Sequence, residues 1–435
     1  MKTVLQHFRS ELTWLFNAST FIIPAVLALT LVQPMAAQDP DNVHRQLDLA
    51  LNYEHAGDAQ VLQKDLDGAL VSYGKAVGIL EILTAQAPGN REGQRNLFLN
   101  YNRIGDMRQM QGDLDGALAA FRKGLGTMEA LAARDPADTR WQNDLSLSYD
   151  RIGGVQERQS DLDSALTSYS KALTIREALA ERDPANVAWR LNLSLSHNRI
   201  GDVQQRQRNL DGALASFRKA LEIEESLAAH DPGNVNRQFS LFVSHNRIGN
   251  VQQRQGNLDG ALASFRKALE IEETLAAREP GNANWQHSVA VVHDSIGVVQ
   301  GQRKDLDGAL VSFRKELEIE EALAVQDPGN ARWQQAASRC YGTIGNVQLQ
   351  QKDRNDAIAS FRNSLDITEI LAAHDSKNMD WQRELIHNLV TLGRVSHDKA
   401  LLSRALNTAL SLKETGKLDP ADDAMVDSLR REVAQ

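Results

Sequence analysis

The sequence predicts an all-α solenoid of tandem antiparallel helix hairpins, and three observations predict it. The segment Leu-Asp-Gly-Ala-Leu begins at Leu66, Leu114, Leu210, Leu258 and Leu306, with a Ser164 variant at Leu162, so that it recurs every 48 residues. The copies reach beyond that segment: Arg199 to Ala228 and Arg247 to Ala276 differ at three of thirty positions. Turn residues punctuate each copy twice, at Asp-Pro-Gly-Asn (Asp231 to Asn234, Asp327 to Asn330) and at Gly256-Asn257 or its equivalents, with apolar residues at helical spacing between.

The first segment is of another kind. Leu12 to Gln38 is 27 residues without a charge, preceded by Lys2 and Arg9, containing the largely apolar run Phe21 to Val32 and ending in Met35-Ala36-Ala37. This predicts a signal peptide over residues 1–37, cleaved near Ala37, and an exported product, periplasmic or secreted. Since Trp14, Leu15 and Phe16 could lengthen the run, an uncleaved membrane anchor through residues 12–34 is the alternative.

From residue 42 to 416 the period gives eight units, the last degenerate. In the fourth unit the first helix places Trp189, Leu193, Ser196, Ile200 and Val203 on one stripe. Asn209 caps the second helix, Asp211 sits in its positive first turn, and Leu210, Ala213, Leu214, Phe217, Ala220, Leu221 and Leu227 form its apolar stripe, leaving Lys219, Glu222, Glu224 and Glu225 mainly for solvent. Neither helix can bury its stripe alone, so each hairpin must stack on its neighbours. In the last unit Leu392-Gly393 keeps the register and the second helix shortens toward Gly416. Asp419-Pro420 then opens a capping helix within residues 417–435.

Ile200-Gly201 followed by Ala213, Phe217 and Ala220 resembles the tetratricopeptide repeat: small residues where two helices cross, an aromatic filling the gap behind them, and a small residue admitting the next hairpin. The resemblance implies a right-handed superhelical solenoid that binds other proteins. The family's usual period is 34 residues. Here the stretches from Ala220 to Pro232 and from Pro232 to Gly249 are each seven residues longer than usual, nearly two helical turns, so the stripe returns to about the same face and each helix grows to roughly 20 residues, or about 30 Å, as in long-helix bacterial variants.

Composition narrows the function. With 42% hydrophobic and 24% charged residues the chain is neither disordered throughout nor a multi-span membrane protein. A formal net charge of −9 without a dominant basic stripe excludes a binder held by nucleic-acid phosphates. The single cysteine, Cys340, excludes an internal disulfide framework and is read as core packing. No His-Glu-x-x-His or Gly-x-Ser-x-Gly occurs, and Gly68 to Lys75 has one residue too many for a phosphate loop. No enzyme, cofactor, metal or small-molecule substrate is implied. His197, His245 and His293 recur one repeat apart, too far to share an ion.

Three rows on the first helices are candidates for partner binding. Asn102, Asp150, Asn198, Asn246 and Asp294 stand away from the core stripe, where family members often hydrogen-bond a peptide backbone; inter-repeat bonding is the other use for such groups. Arg103, Arg151, Arg199 and Arg247 suit a bidentate grip on carboxylates, whether a partner's or those of neighbouring helices. Leu51, Leu99, Leu147, Leu195, Val243 and Val291, ended by Arg339 and His387, either pack hairpin on hairpin or floor an apolar groove. The function expected is a protein-interaction scaffold for peptide segments or protein partners. A sensor arm serving a separately encoded enzyme or signalling protein, or a self-associating structural protein, are the alternatives.

Overall fold

The structure is a computed structural model that describes residues 43–415, 417 and 423–434. The leader or anchor over residues 1–37, its cleavage near Ala37, and Gly416, Asp419 and Pro420 lie outside the described residues. Among these residues all regular structure is helical. Two compact units, Met1–Val203 and Gln204–Gln435, divide the chain.

The first unit holds α1 (Val43–Leu62), α2 (Leu66–Gln86), α3 (Arg91–Met110), α4 (Leu114–Arg134), α5 (Thr139–Arg158), α6 (Leu162–Arg182) and most of α7 (Val187–Arg206). The second holds α8 (Leu210–His230), α9 (Val235–Arg254), α10 (Leu258–Arg278), α11 (Ala283–Gln302), α12 (Leu306–Gln326), α13 (Ala331–Gln350), α14 (Arg354–His374), α15 (Met379–Ser396), α16 (Lys399–Glu414) and α17 (Asp423–Ala434). Within each unit every helix packs on the next in sequence, α6 on α7 through Tyr169, Ile200 and Val203, the pattern of stacked hairpins. Below, the odd-numbered helices α1 to α15 are A helices and the even-numbered ones B helices.

Local chemistry fixes the hairpin. The first residue before each B helix caps it: Asp113 Oδ1 accepts from Gly116 N at 2.8 Å, and Asn257 Oδ1 from Gly260 N at 3.1 Å. The preceding linker residue takes a left-handed φ, between 61° and 68° at Lys64, Ser160, Arg208, Lys304 and Lys352, whereas Gly112 and Gly256 meet the demand without a Cβ. The helices of a hairpin approach so closely that a Cβ on Gly249 would lie 2.7 Å from the Phe265 ring, and one on Gly297 2.7 Å from Phe313. This is the close approach the Gly-Ala-Phe spacing predicts. Two bonds repeat around it. A B-helix serine donates to an A-helix glutamine (Ser168 to Gln156, 2.7 Å; Ser264 to Gln252, 2.8 Å), and a glutamine at the end of one A helix donates to the first-turn aspartate of the preceding B helix (Gln159 to Asp115, 2.7 Å; Gln351 to Asp307, 2.6 Å).

The core is a chain of small clusters, such as Ala117, Phe121, Ile152 and Val155 in the first unit and Ala213, Phe217, Ile248 and Val251 in the second. In α17, Val426 and Leu429 are buried against the cluster that holds Ile386, Leu389 and Ala405. Helix α2 is long and apolar enough to cross a membrane, yet it buries Ala69, Tyr73, Ala76, Leu80 and Leu83 as a B helix of the stack.

Candidate interaction faces

The arginine row is turned inward, along the stack. Arg103 pairs with Glu54 at 2.6 Å and Asp58 at 3.2 Å on the A helix before it, Arg151 pairs with Asp106, and Arg199 reaches Asp150 at 3.0 Å. Each guanidinium also lies over the aromatic ring of the intervening B helix: Arg103 over Tyr73, Arg151 over Phe121, Arg199 over Tyr169 and, in the second unit, Arg247 over Phe217, at 5.5–5.7 Å. The acids of neighbouring helices are thus what Arg103, Arg151 and Arg199 grip.

The amide and carboxylate row is not an open ladder, which corrects its placement on a free surface. Asn102, Asp150 and Asn198 are buried, and Asn246 and Asp294 are half-buried. The cause is helix crossing: the row faces the B helix of its own hairpin and the following A helix rather than solvent. Asp150 accepts from Arg176, itself 1% exposed, whose guanidinium also donates to Ser196 Oγ at 2.6 Å. Burial pulls the Arg176 pKa down, with the Asp150 charge opposing. Burial pushes the Asp294 carboxyl up, with Arg339 opposing.

Arg176 marks a core position that sequence reasoning missed. Its equivalents, one repeat apart, are Leu80, Met128, Glu224, Glu272, Glu320 and Thr368, and all are buried. Glu224 was expected in solvent; it is 6% exposed and accepts from Ser244. Glu320 accepts from His287 at 2.6 Å, whose ring meets Trp333 at 5.1 Å. Neither oxygen of Glu272 has a hydrogen-bond partner in ordinary geometry, and burial pushes its pKa up to about 7, with the nearby Ser288 hydroxyl opposing. Glu316, on the small-residue position of Ala220, is raised to about 7 by burial next to Cys340. The buried Cys340 thiol is pushed far up by burial and by Glu316. His245 and His293 are held down to about 4 by burial, aided by Lys267 and Lys315. Among the described residues no three His, Cys, Asp or Glu side chains are arranged to hold a metal ion.

The leucine row is the part left open. Leu99 packs against Phe98, Met128 and Trp141, but Leu147 and Leu195 are 39% and 42% exposed, and Val187 and Leu191 continue the exposed stripe along α7. In the second unit Val235, Phe239 and Val291 are likewise exposed, while Val243 is half-buried. Isolated exposed leucines are ordinary; a stripe along one helix face is not.

The family model for the tetratricopeptide repeat matches residues 195–227 and 243–275. By that model these two stretches are tetratricopeptide repeats, and the same 48-residue unit recurs on either side of them. The fold of the chain is shared with the apo form of RapI, at 15% identity and a TM-score of 0.51, the match covering 89% of this chain and 98% of that one. Two further similar structures are BtubC from P. vanneervenii (17% identity, TM-score 0.44, covering 59% and 92%) and the C-terminal part of a tetratricopeptide repeat-containing protein from Cytophaga hutchinsonii (17%, 0.42, 75% and 98%). A search of curated proteins finds no match. Repeats of this kind support, in general terms, a protein-interaction scaffold.

Proposed function

We propose that the chain is a scaffold that holds peptide segments or protein partners against the open faces of its A helices, outside the cytoplasm. The observation that carries this reading is the exposed stripe of Val187, Leu191 and Leu195 on α7 with Leu147 on α5 in the same unit, apolar side chains that the stack itself leaves uncovered. The arginines beside them are engaged by neighbouring helices, so their part is to hold the A helices in register while the leucines meet the partner. Asn102, Asp150, Asn198, Asn246 and Asp294 then support the face from beneath. The uncharged segment Leu12 to Gln38 supports export, with cleavage near Ala37 or retention as an anchor.

Two measurements test this. A photo-crosslinking residue placed at Leu195 in the full chain, expressed in cells, is expected to capture another protein, and the same probe at Ala178, exposed on the B helix α6, is expected not to. Adducts at neither position, or equally at both, would overturn the A-face reading. The N-terminal residue of a C-terminally tagged product gives the compartment: a start near Gln38 supports a soluble exported scaffold and an intact membrane-bound chain a tethered one. An intact cytosolic chain would sink export.

A further inference from the structure

The second unit carries a surface feature that the A-face reading leaves unused. On the B helices α8, α10 and α12, Arg218, Arg266 and Arg314 recur at one exposed position, and Glu222, Glu270 and Glu318 recur four residues on. The fourth B helix continues both rows with Arg362 and Asp366, also exposed. Residues four apart share a helix face, so the unit presents a basic row and, one turn of about 5.4 Å further along the helices, a parallel acidic row. No side chain of the three Arg-Glu pairs has an ion-pair or hydrogen-bond partner among the described residues. The order explains why they do not close on each other: Arg four residues before Glu is the weaker orientation on a helix. In the first unit these positions hold Gly74 and Gly78, Arg122 and Gly126, and Ser170 and Thr174, so the double row does not follow from the hairpin itself.

We propose that this two-row face is an interface through which two copies of the chain associate side by side, their second units running in the same direction. Charge complementarity selects the occupant. A uniformly anionic surface would meet the basic row but be repelled by the acidic row one turn away. A partner must instead carry two opposite rows at the same separation and repeat, and a second copy does so by construction. A twofold axis lying in the interface along the stack, midway between the rows, sets each arginine against the equivalent glutamate of the other copy, whereas a twofold axis along the helices would set like against like. The contact is therefore isologous and its three Arg-Glu repeats supply six ion pairs. Three residues before the basic row stand exposed Ala215 and Ala263, which leave room for close approach on α8 and α10, and the larger exposed Val311 on α12.

The test uses the full chain in mild detergent, followed by light scattering and sedimentation over a concentration and salt series. The unaltered chain is expected to dimerise, more weakly as salt rises. Reversing one row (Arg218→Glu, Arg266→Glu, Arg314→Glu) is expected to raise the dimer dissociation constant by about 100-fold or more, since six attractions of a few tenths to 1 kcal/mol each become repulsions. Reversing both rows in one chain is expected to restore association, and mixing the all-acidic variant with the all-basic one (Glu222→Arg, Glu270→Arg, Glu318→Arg) to give a heterodimer. Circular dichroism confirms that each variant keeps its helices. A chain monomeric at low salt, or a dimer indifferent to row reversal, would overturn the proposal. The Leu195 probe reports on a separate face, so the dimer and the A-face scaffold stand or fall independently.

Discussion

The hairpins before Val203 and those after Gln204 share caps, glycine crossings and serine-glutamine bonds, and part company in the charge carried at one core position. In the first unit it passes from Leu80 to Met128 to Arg176; in the second it is Glu224, Glu272, Glu320 and then Thr368. What decides the fate of each polar group is the residue twenty positions on, in the A helix stacked against it. Ser196 accepts from Arg176, Ser244 donates to Glu224, and Asn388 donates to Thr368 at 2.7 Å. Opposite Glu272 stands Val292, and that carboxyl is left without a good partner. Opposite Glu320 stands Cys340, and Glu320 turns to His287 instead. A stacked repeat thus tolerates charge in its core to the extent that the neighbouring repeat supplies a hydroxyl or amide, which couples adjacent repeats through polar as well as apolar contact.

The largest expected effect lies at the buried ion pair of Arg176 and Asp150 in the first unit. Arg176→Ala leaves the Asp150 carboxylate buried with only its half-exposed partner Arg199, and should cost about 3–5 kcal/mol. The preceding repeat holds Met128 and Asn102 at the same two positions, so Arg176→Met with Asp150→Asn recreates a combination the stack already accommodates. The double variant should lie within about 1 kcal/mol of the parent, a coupling that denaturant unfolding of the single and double variants measures. Additive losses would show that the pair is not what balances these positions.

In the second unit the sign is reversed. Glu272 has its pKa raised from 4.5 to about 7 in the fold, so the folded chain holds a proton the unfolded chain has released. Its contribution is neutral below about pH 4.5, and stability falls as pH rises through the window from 4.5 to 7, by about 3 kcal/mol in all. His245 and His293, lowered from 6.5 to about 4, act oppositely: they cost stability as pH falls from 6.5 toward 4. Glu272→Gln should therefore match the parent near pH 4.5 and exceed it increasingly up to pH 8, leaving a unit more visibly destabilised by acid. Equal stability of parent and variant at pH 8 would mean that the carboxylate is solvated in the fold.

The hairpin was legible because its determinants are local: the cap at Asn209, the Gly201-Ala213-Phe217 spacing and the repeat of 48 are one-dimensional signals. The faces were less so. Glu224 lies seven residues after Phe217 and three before Leu227, on the apolar stripe by spacing, and its acidic side chain alone placed it in solvent. Leu80 and Met128 at the equivalent positions carried the signal that this column is core. The row from Asn102 to Asp294 was misplaced for another reason: which side of an A helix the next hairpin covers depends on crossing geometry, which period does not encode. Arg103 and Arg151 show the same dependence, since the acids they pair with stand 45 and 49 residues back, a relation visible only once the stack is assembled.

The smallest expected effect sharpens the contrast between the outer faces. Gly126 lies mid-helix in α4, where an added Cβ would meet nothing within 4 Å, so its cost is only the backbone freedom lost on folding. Gly126→Ala should stabilise the first unit by about 0.5–1 kcal/mol without altering self-association. Gly126→Glu adds the acidic partner that Arg122 lacks relative to Arg218 and Glu222, and should give a similar gain, helix propensities of Ala and Glu being close. If the double row acts through its length, this substitution alone should leave the dimer constant of the chain unchanged, because Gly74 and Ser170, at the equivalent positions one repeat to either side, carry no charge to extend the row. A marked tightening would mean that one repeat suffices for contact, and that the six-pair register in the second unit is wider than association requires.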